Sequence, residues 1–299
     1  MTPPQGLLFQ PPHRDSNLRV GPAGWSYKDW EGIVYPAGSA ANALSFLIDY
    51  CDTIEINSSF YAPPRPRDAA AWARRARANP RFRFTAKVWR RITHERTAGD
   101  ESSLQADCNA VCASFAPLAE AGILGAVLIQ FPWSFRCIPK NQEYLEKIFR
   151  RLREFPLVVE VRHSSWDHDP FYAFLEQRDA AFCNVDQPVI GNSIGPGARA
   201  TSRIGYFRLH GRNYANWFKE DAGRDERYDY LYNREEIRQL SENIRTVRKN
   251  TDETYVITNN HFRGQALVNA LEIAEEIDGV RPNPPPLLAA AYPGRLGGL

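Results

Sequence analysis

Eight short runs of β-branched, aliphatic or aromatic residues recur along the chain, near residues 18–23, 53–57, 82–88, 125–131, 157–162, 180–185, 204–210 and 253–258. Between most of them apolar residues repeat at helical spacing. Leu44, Leu47 and Ile48 share one face of 40–51, and Leu145, Ile148, Phe149 and Leu152 share one face of 141–154. Similar patterns cover 67–78, 101–121, 170–177, 233–249 and 265–277, whereas 187–203 is Gly/Pro-rich and shows no clear helix. Strand–helix alternation of this length predicts an α/β fold, a single (β/α)8 TIM barrel over residues 18–280. The runs are more apolar than alternating, as expected of parallel strands covered by helices. An open doubly wound sheet is the competing arrangement. Its dinucleotide-binding form lacks support, because no G-x-G-x-x-G follows the first run.

The two ends read differently. Residues 1–17 and 281–299 are Pro-rich or Pro/Gly-rich and are expected to be extended tails. The first segment lacks the basic start and apolar core of a signal peptide, and no apolar stretch reaches membrane-spanning length. The expectation is a cytoplasmic protein with no membrane partner. Lys+Arg 37 against Asp+Glu 35 leaves a net charge of +2, too little to imply nucleic acid. Five Cys without CxxC spacing argue against a disulfide framework or a structural zinc site.

Four runs end in polar residues spaced two apart: Glu55 with Asn57, Glu160 with Arg162, Arg208 with His210, and Thr258 followed by Asn259, Asn260 and His261. Residues i and i+2 of a strand share a face, and burying such groups costs free energy unless they are paired. In a barrel, C-terminal strand ends form the active-site rim. Trp25, Lys87, Gln130, His163, Asp186 and Arg212 would join that rim from the other strand ends. Glu55, Glu160 and Asp186 suit acid–base work, or metal ligation together with His210. The bland alternative is a structural ring of charge, with Glu160 paired to Arg208 or Arg162 and Glu55 to Lys87. Lys87, Arg162, Arg208 and Arg212 suit an anionic group, since guanidinium binds carboxylate or phosphate through two parallel hydrogen bonds. Trp25 could stack on a sugar or base, or simply cap the core. Residues 213–232 are rich in aromatic and charged residues and are expected to form a functional loop.

Several segments, taken in order, resemble the YecE-like family, a domain of unknown function. They include Gly21-Pro-Ala-Gly-Trp25, Glu55-Ile-Asn57-Ser-Ser-Phe60-Tyr61, Phe82-Arg-Phe84-Thr-Ala-Lys87, Ile92-Thr93-His94, Gln130-Phe-Pro132, Glu160-Val-Arg162-His163, Arg208-Leu-His210-Gly211-Arg212 and Asn259-Asn260-His261. The resemblance runs from about Leu18 to Ile277. It implies a barrel and this rim, and no particular reaction.

The leading expectation is an enzyme (hydrolase, lyase or isomerase) acting on a small anionic or sugar-like substrate. Glu55, Lys87, Glu160 and His210 would be catalytic. Trp25, Asn57, Arg162, His163, Asp186, Arg208, Arg212, Asn259 and Asn260 would bind substrate. A metal-dependent phosphodiesterase or nuclease, with Glu55, Glu160, Asp186 and His210 as ligands, is the second reading. The third is a non-catalytic module for nucleic acid or a partner protein. Cofactor and metal are left open.

Overall fold

A computed structural model describes residues 16–96, 100–217, 224–280 and 283–296. Eight parallel strands form the wall: β1 Leu18–Pro22, β2 Thr53–Ile56, β3 Arg83–Lys87, β4 Leu124–Gln130, β5 Leu157–Glu160, β6 Ala181–Asp186, β7 Ile204–Leu209 and β8 Glu253–Thr258. The ladder runs β1-β8-β7-β6-β5-β4-β3-β2. Its last seam, β1 to β2, closes at one parallel bridge, Ala23 with Glu55, where Gly24 N–H donates to the Glu55 carbonyl at 2.9 Å. Gly21 makes that approach sterically feasible: a Cβ there would sit 1.8 Å from the Thr53 carbonyl oxygen. The chain is therefore a single (β/α)8 barrel, as its alternating pattern predicts.

The helices are α1 Ala43–Ile48, α2 Pro66–Ala76, α3 Arg90–Thr93, α4 Glu101–Glu120, α5 Pro139–Leu152, α6 Asp169–Glu176, α7 Tyr214–Trp217, α8 Arg224–Arg227, α9 Arg234–Arg248, α10 Gln265–Asp278 and α11 Pro286–Ala291. Their boundaries follow local chemistry. Proline occupies the first turn of α2 and α5, where its missing N–H has no helical partner to lose. The Asp100 carboxylate accepts the Ser103 N–H at 2.9 Å to start α4. Asn233 and Glu236 form a capping box on α9, and Gly279 in the left-handed region ends α10. No helix follows β6; residues 187–203 cross to β7 as an irregular segment.

Strand parity sorts the side chains. Leu128, Val158, Cys183, Tyr206, Tyr255 and Ile257 fill the inside of the barrel. Ile54, Phe84, Val127, Val159 and Phe207 point outward against the helices. The inner faces of β2, β3, β5 and β7 end, at the top, in polar residues.

The C-terminal segment differs from its expectation as an extended tail. Pro286–Ala291 forms a short helix, Leu288 is fully buried, and Arg295 pairs with Glu272 at 2.5 Å. A proline can begin a helix as well as end one, and the cavity that receives Leu288 exists only in the folded barrel. The N-terminal expectation falls almost wholly on residues 1–15, outside the described residues. No helix among the described residues is long and apolar enough to cross a membrane.

Candidate functional site

The inner faces of β2, β3, β5 and β7 bring Glu55, Lys87, Glu160, Arg162, Arg208 and His210 into one network at the top of the barrel. Arg208 is its centre. Its Nε and Nη2 reach the two oxygens of Glu55, each at 3.0 Å, and its Nη1 donates to Glu160 Oε2 at 2.6 Å. Arg162 donates from Nε and Nη2 to the other oxygen of Glu160, at 3.0 and 2.8 Å. The Tyr206 hydroxyl lies 3.1 Å from Glu55 Oε2 and 2.9 Å from Thr85 Oγ1. Two fully buried carboxylates are thus fixed by guanidinium forks, the geometry that makes buried ion pairs tolerable.

Charge does not balance here. Three cations, Lys87, Arg162 and Arg208, face two carboxylates, leaving one positive charge. The surplus is also the part nearest solvent. The side chains of Glu55, Glu160 and Arg208 are 0 % exposed, against 9 % for Lys87 and 18 % for Arg162. Arg162 Nη1 has no hydrogen-bond partner among the described residues. Beside it opens a cleft of about 270 Å³ lined by His94, Gln130, Phe131, Trp133, Gln187 and Ser193.

This setting shifts proton affinities. Burial alone would raise the Glu160 carboxyl, but the cations Arg208, Arg162 and Lys87 hold it well below the usual carboxylate range. Glu160 is therefore a permanent anion. Burial and the Arg208 cation lower the Lys87 ammonium to about 8, against the pull of Glu55 and Glu160. Its closest acidic partner, Glu55, is 3.6 Å away, and its other neighbour is the Phe60 ring, with Nζ 5.7 Å from the centroid. His94 stands edge-on to the same ring, and burial, then Arg162 and Lys87, lower its imidazole to about 4.

His210 is fully buried and held neutral by burial, then by Arg208 and Arg162. Its Nε2 lies 3.4 Å from Arg208 Nη1 and 3.5 Å from Arg162 Nη2, groups that can only donate. The Nε2 lone pair therefore faces the guanidiniums, and the ring proton sits on Nδ1. Asn259, 3.0 Å from Nδ1 and placed with its nitrogen toward the ring, must then turn its carbonyl oxygen to that proton. Tyr228, from the 213–232 loop, lies over His210 and His261, its ring 6.1 and 5.3 Å from theirs. Part of that loop, 218–223, lies outside the described residues.

Four residues expected at the rim, Asp186, Arg212, Asn260 and Trp25, lie away from this network, and Asn57 and His163 make no hydrogen bond to it. Asp186 and Arg212 form a separate network on the outer face of the wall. Arg212 binds both Asp186 oxygens at 2.8–3.1 Å, and Tyr232 donates to Asp186 Oδ2 at 2.6 Å. Asn260 donates to the Tyr230 carbonyl and to Asn269 Oδ1, both at 2.8 Å, in that outer layer. Trp25 packs edge-on against Trp72 at 5.3 Å and against Phe84, between sheet and helix. Asn57 follows β2 and accepts the Phe60 N–H through its carbonyl, while its side chain makes no hydrogen bond among the described residues. His163 caps the turn Ser164–Trp166: its Nδ1 accepts the Ser165 N–H at 3.1 Å. Its Nε2 is buried without a partner, beside Trp133.

The four residues expected to ligate a metal do not converge, because Asp186 is across the wall and both glutamates face arginines. Among the described residues no group of three or more His, Cys, Asp or Glu side chains is arranged to hold a metal ion. His94 and Trp133 line the cleft, although the sequence alone places neither among the expected catalytic or substrate-binding residues. The usable signal was position: both lie in segments following strand ends, where barrel sites are built.

The family model described as "Protein of unknown function DUF72" matches residues 19–290. The chain is 28% identical over 271 residues to the UPF0759 protein YunF of Bacillus subtilis (strain 168), covering 87% of this chain and 95% of that one. A crystal structure of a DUF72 family protein from Thermotoga maritima MSB8 superposes with a TM-score of 0.75 at 34% identity, covering 86% of this chain and 98% of that one. One from Enterococcus faecalis V583 gives 0.76 at 29%, covering 87% and 95%. The names these relatives carry are DUF72 and UPF0759, and YecE-like, the label suggested by the motifs, is not among them. By its sequence and its barrel, the chain belongs to the DUF72 family.

Proposed function

We propose that the top of the barrel is the active site of an enzyme acting on a small anionic substrate, carboxylated or phosphorylated. One observation carries the reading: the positive surplus of a sealed ion network reaches solvent only through Lys87 and Arg162. Arg162 Nη1 is the donor left for an anion, and the cleft beside it gives room for a small molecule. Glu55, Glu160 and Arg208 act as a rigid floor, since each is already saturated by the others. Such a floor holds Lys87 and Arg162 in place at no reorganisation cost during reaction. Glu160, a permanent anion bound by two guanidiniums, is a poor proton acceptor. Lys87 is the better acid–base group, because an amine near 8 exchanges its proton close to neutral pH. His94 adds a neutral imidazole at the cleft.

The test is ligand-induced thermal stabilisation with inorganic phosphate, citrate and, as a neutral control, glucose. Phosphate or citrate should raise the melting temperature, and Lys87→Met should abolish the effect. Binding should weaken as pH rises through about 8, since the anion favours the charged amine. Stabilisation by glucose alone would move the reading to a neutral sugar. No stabilisation by any of them would remove it.

A further inference from the structure

We propose that Lys87 attacks the carbonyl of its substrate and forms a Schiff base, so that the substrate class is a small aldehyde or ketone carrying an anionic group. The inference rests on the anionic-substrate reading above and adds the covalent step. The chain places arginine almost everywhere: it has 31 Arg and six Lys. Of those lysines, Lys87 is the buried one among the described residues, on the inner face of β3 at the rim. Lys28, Lys140 and Lys249 are exposed, and Lys147 is half-exposed and paired with Glu101. Arginine would serve a purely electrostatic role there as well as it does at Arg162 and Arg208. It cannot become a nucleophile, because guanidinium does not lose its proton in proteins. Lysine can, once its ammonium is destabilised.

The groups around Lys87 are arranged to do that. It faces Glu55 on β2, Glu160 on β5 with Arg162 just beyond, Arg208 on β7 with His210 just beyond, and His94 after α3. The two carboxylates are tied to arginines. Glu55 stands 3.6 Å from Nζ, beyond normal hydrogen-bond reach, and the Phe60 ring covers the amine. Burial and Arg208 then leave a useful share of free amine near neutral pH. At pH 7.5 an amine near 8 is deprotonated roughly a hundredfold more often than an ordinary lysine.

The chemistry balances without an external redox partner. The Nζ lone pair forms a C–N bond to the carbonyl carbon, the C=O π pair moves to oxygen, and one N–H proton of the amine passes to that oxygen, the second leaving with it as water when C=N forms. The carbinolamine loses that oxygen as water while nitrogen forms C=N. One amine, one carbonyl compound and no electrons are consumed, and one water is released. Arg162, which lines the cleft and whose Nη1 has no hydrogen-bond partner among the described residues, is the group placed to hold the substrate's carboxylate or phosphate.

The test is reductive trapping on the full-length protein. Glyoxylate or pyruvate with sodium cyanoborohydride should place an adduct on the Lys87 peptide, read by peptide mass mapping. Labelling should exceed that of Lys28 or Lys140 by about tenfold or more. It should rise as pH approaches about 8, and inorganic phosphate should slow it. Lys87→Met should lose this adduct and keep the weak labelling of the exposed lysines. Labelling spread over the lysines in proportion to exposure would overturn the inference. So would absence of a Lys87 adduct while phosphate or citrate still stabilises the protein, an outcome that leaves the anion site standing. Loss of both adduct and stabilisation would remove both readings.

Discussion

Strand β7 and the residues after it supply two arginines, four positions apart, to two ion networks that look alike on paper. Arg208 grips Glu55 and Glu160 inside the barrel; Arg212 grips Asp186 outside it and approaches Glu236 at 3.4 Å. Both use fork-shaped contacts, and both contain a tyrosine on a carboxylate, Tyr206 inside and Tyr232 outside. They differ in balance and in what they join. The outer network ties the end of β6 to the loop and to the first turn of α9 through Tyr232, Tyr230 and Glu236. Its one arginine meets two acids. The inner network has an excess of cations, one of them a lysine, and its excess reaches the opening. The outer surplus is negative and is covered by the hydroxyls of Tyr230 and Tyr232; the inner surplus is positive and borders a cleft, which equips it to meet an anionic ligand.

The comparison can be broken most severely at its centre. Arg208→Met should leave two carboxylates buried without their shared cation and destabilise the protein by roughly 3–5 kcal/mol, read by urea unfolding. Arg212→Met should cost less, because Arg212 is partly exposed and water can replace it. If the two substitutions prove equally costly, the distinction between the networks falls.

Acid attacks the inner network from the other side. Folding depresses the Glu160 carboxyl, so the unfolded chain takes up that proton more readily. The stabilisation from Glu160 should be whole above about pH 4.3 and be lost progressively below it, seen as a falling melting temperature.

Lys87→Met should have the opposite sign. The amine titrates near 8 in the fold and near 10.4 when unfolded, so the folded state holds a charge it disfavours. At pH 7 the substitution should stabilise the protein by about 3 kcal/mol while removing anion binding. Stability of the parent protein should rise between pH 8 and about 10.4 from this group, and the advantage of the variant should shrink over that window.

The smallest effect belongs to the outer network. Tyr232→Phe removes donation to Asp186 and the acceptor for Gly211 N–H, and should cost about 1–2 kcal/mol with phosphate-dependent stabilisation unchanged. A change in that stabilisation would show that the two networks are coupled.

Much of this is legible in the sequence. The eight runs coincide with the eight strands, and spacing of two put Glu160 with Arg162 and Arg208 with His210 on the inner face. Reading failed where strand parity was harder to see. Asp186 follows Val185, which faces inward, so its own side chain must point out. Arg212 and Asn260 lie beyond the strands, where the period of two no longer applies. Trp25, which the sequence offers as either a ligand platform or a core cap, takes the core role, because β1 ends at a turn that sends it behind the wall toward Trp72.

Apolar periodicity alone was enough to set the number of strands, their order along the chain and the rim at which polar residues collect, because burial of one face per element leaves few other arrangements. Which charge meets which was settled only by closure of the barrel. Glu55 and Arg208 are 153 residues apart, and no local pattern links them. The lowered proton affinity of Lys87 belongs to the same class of fact: it comes from lost water and a neighbouring guanidinium, both supplied by other strands.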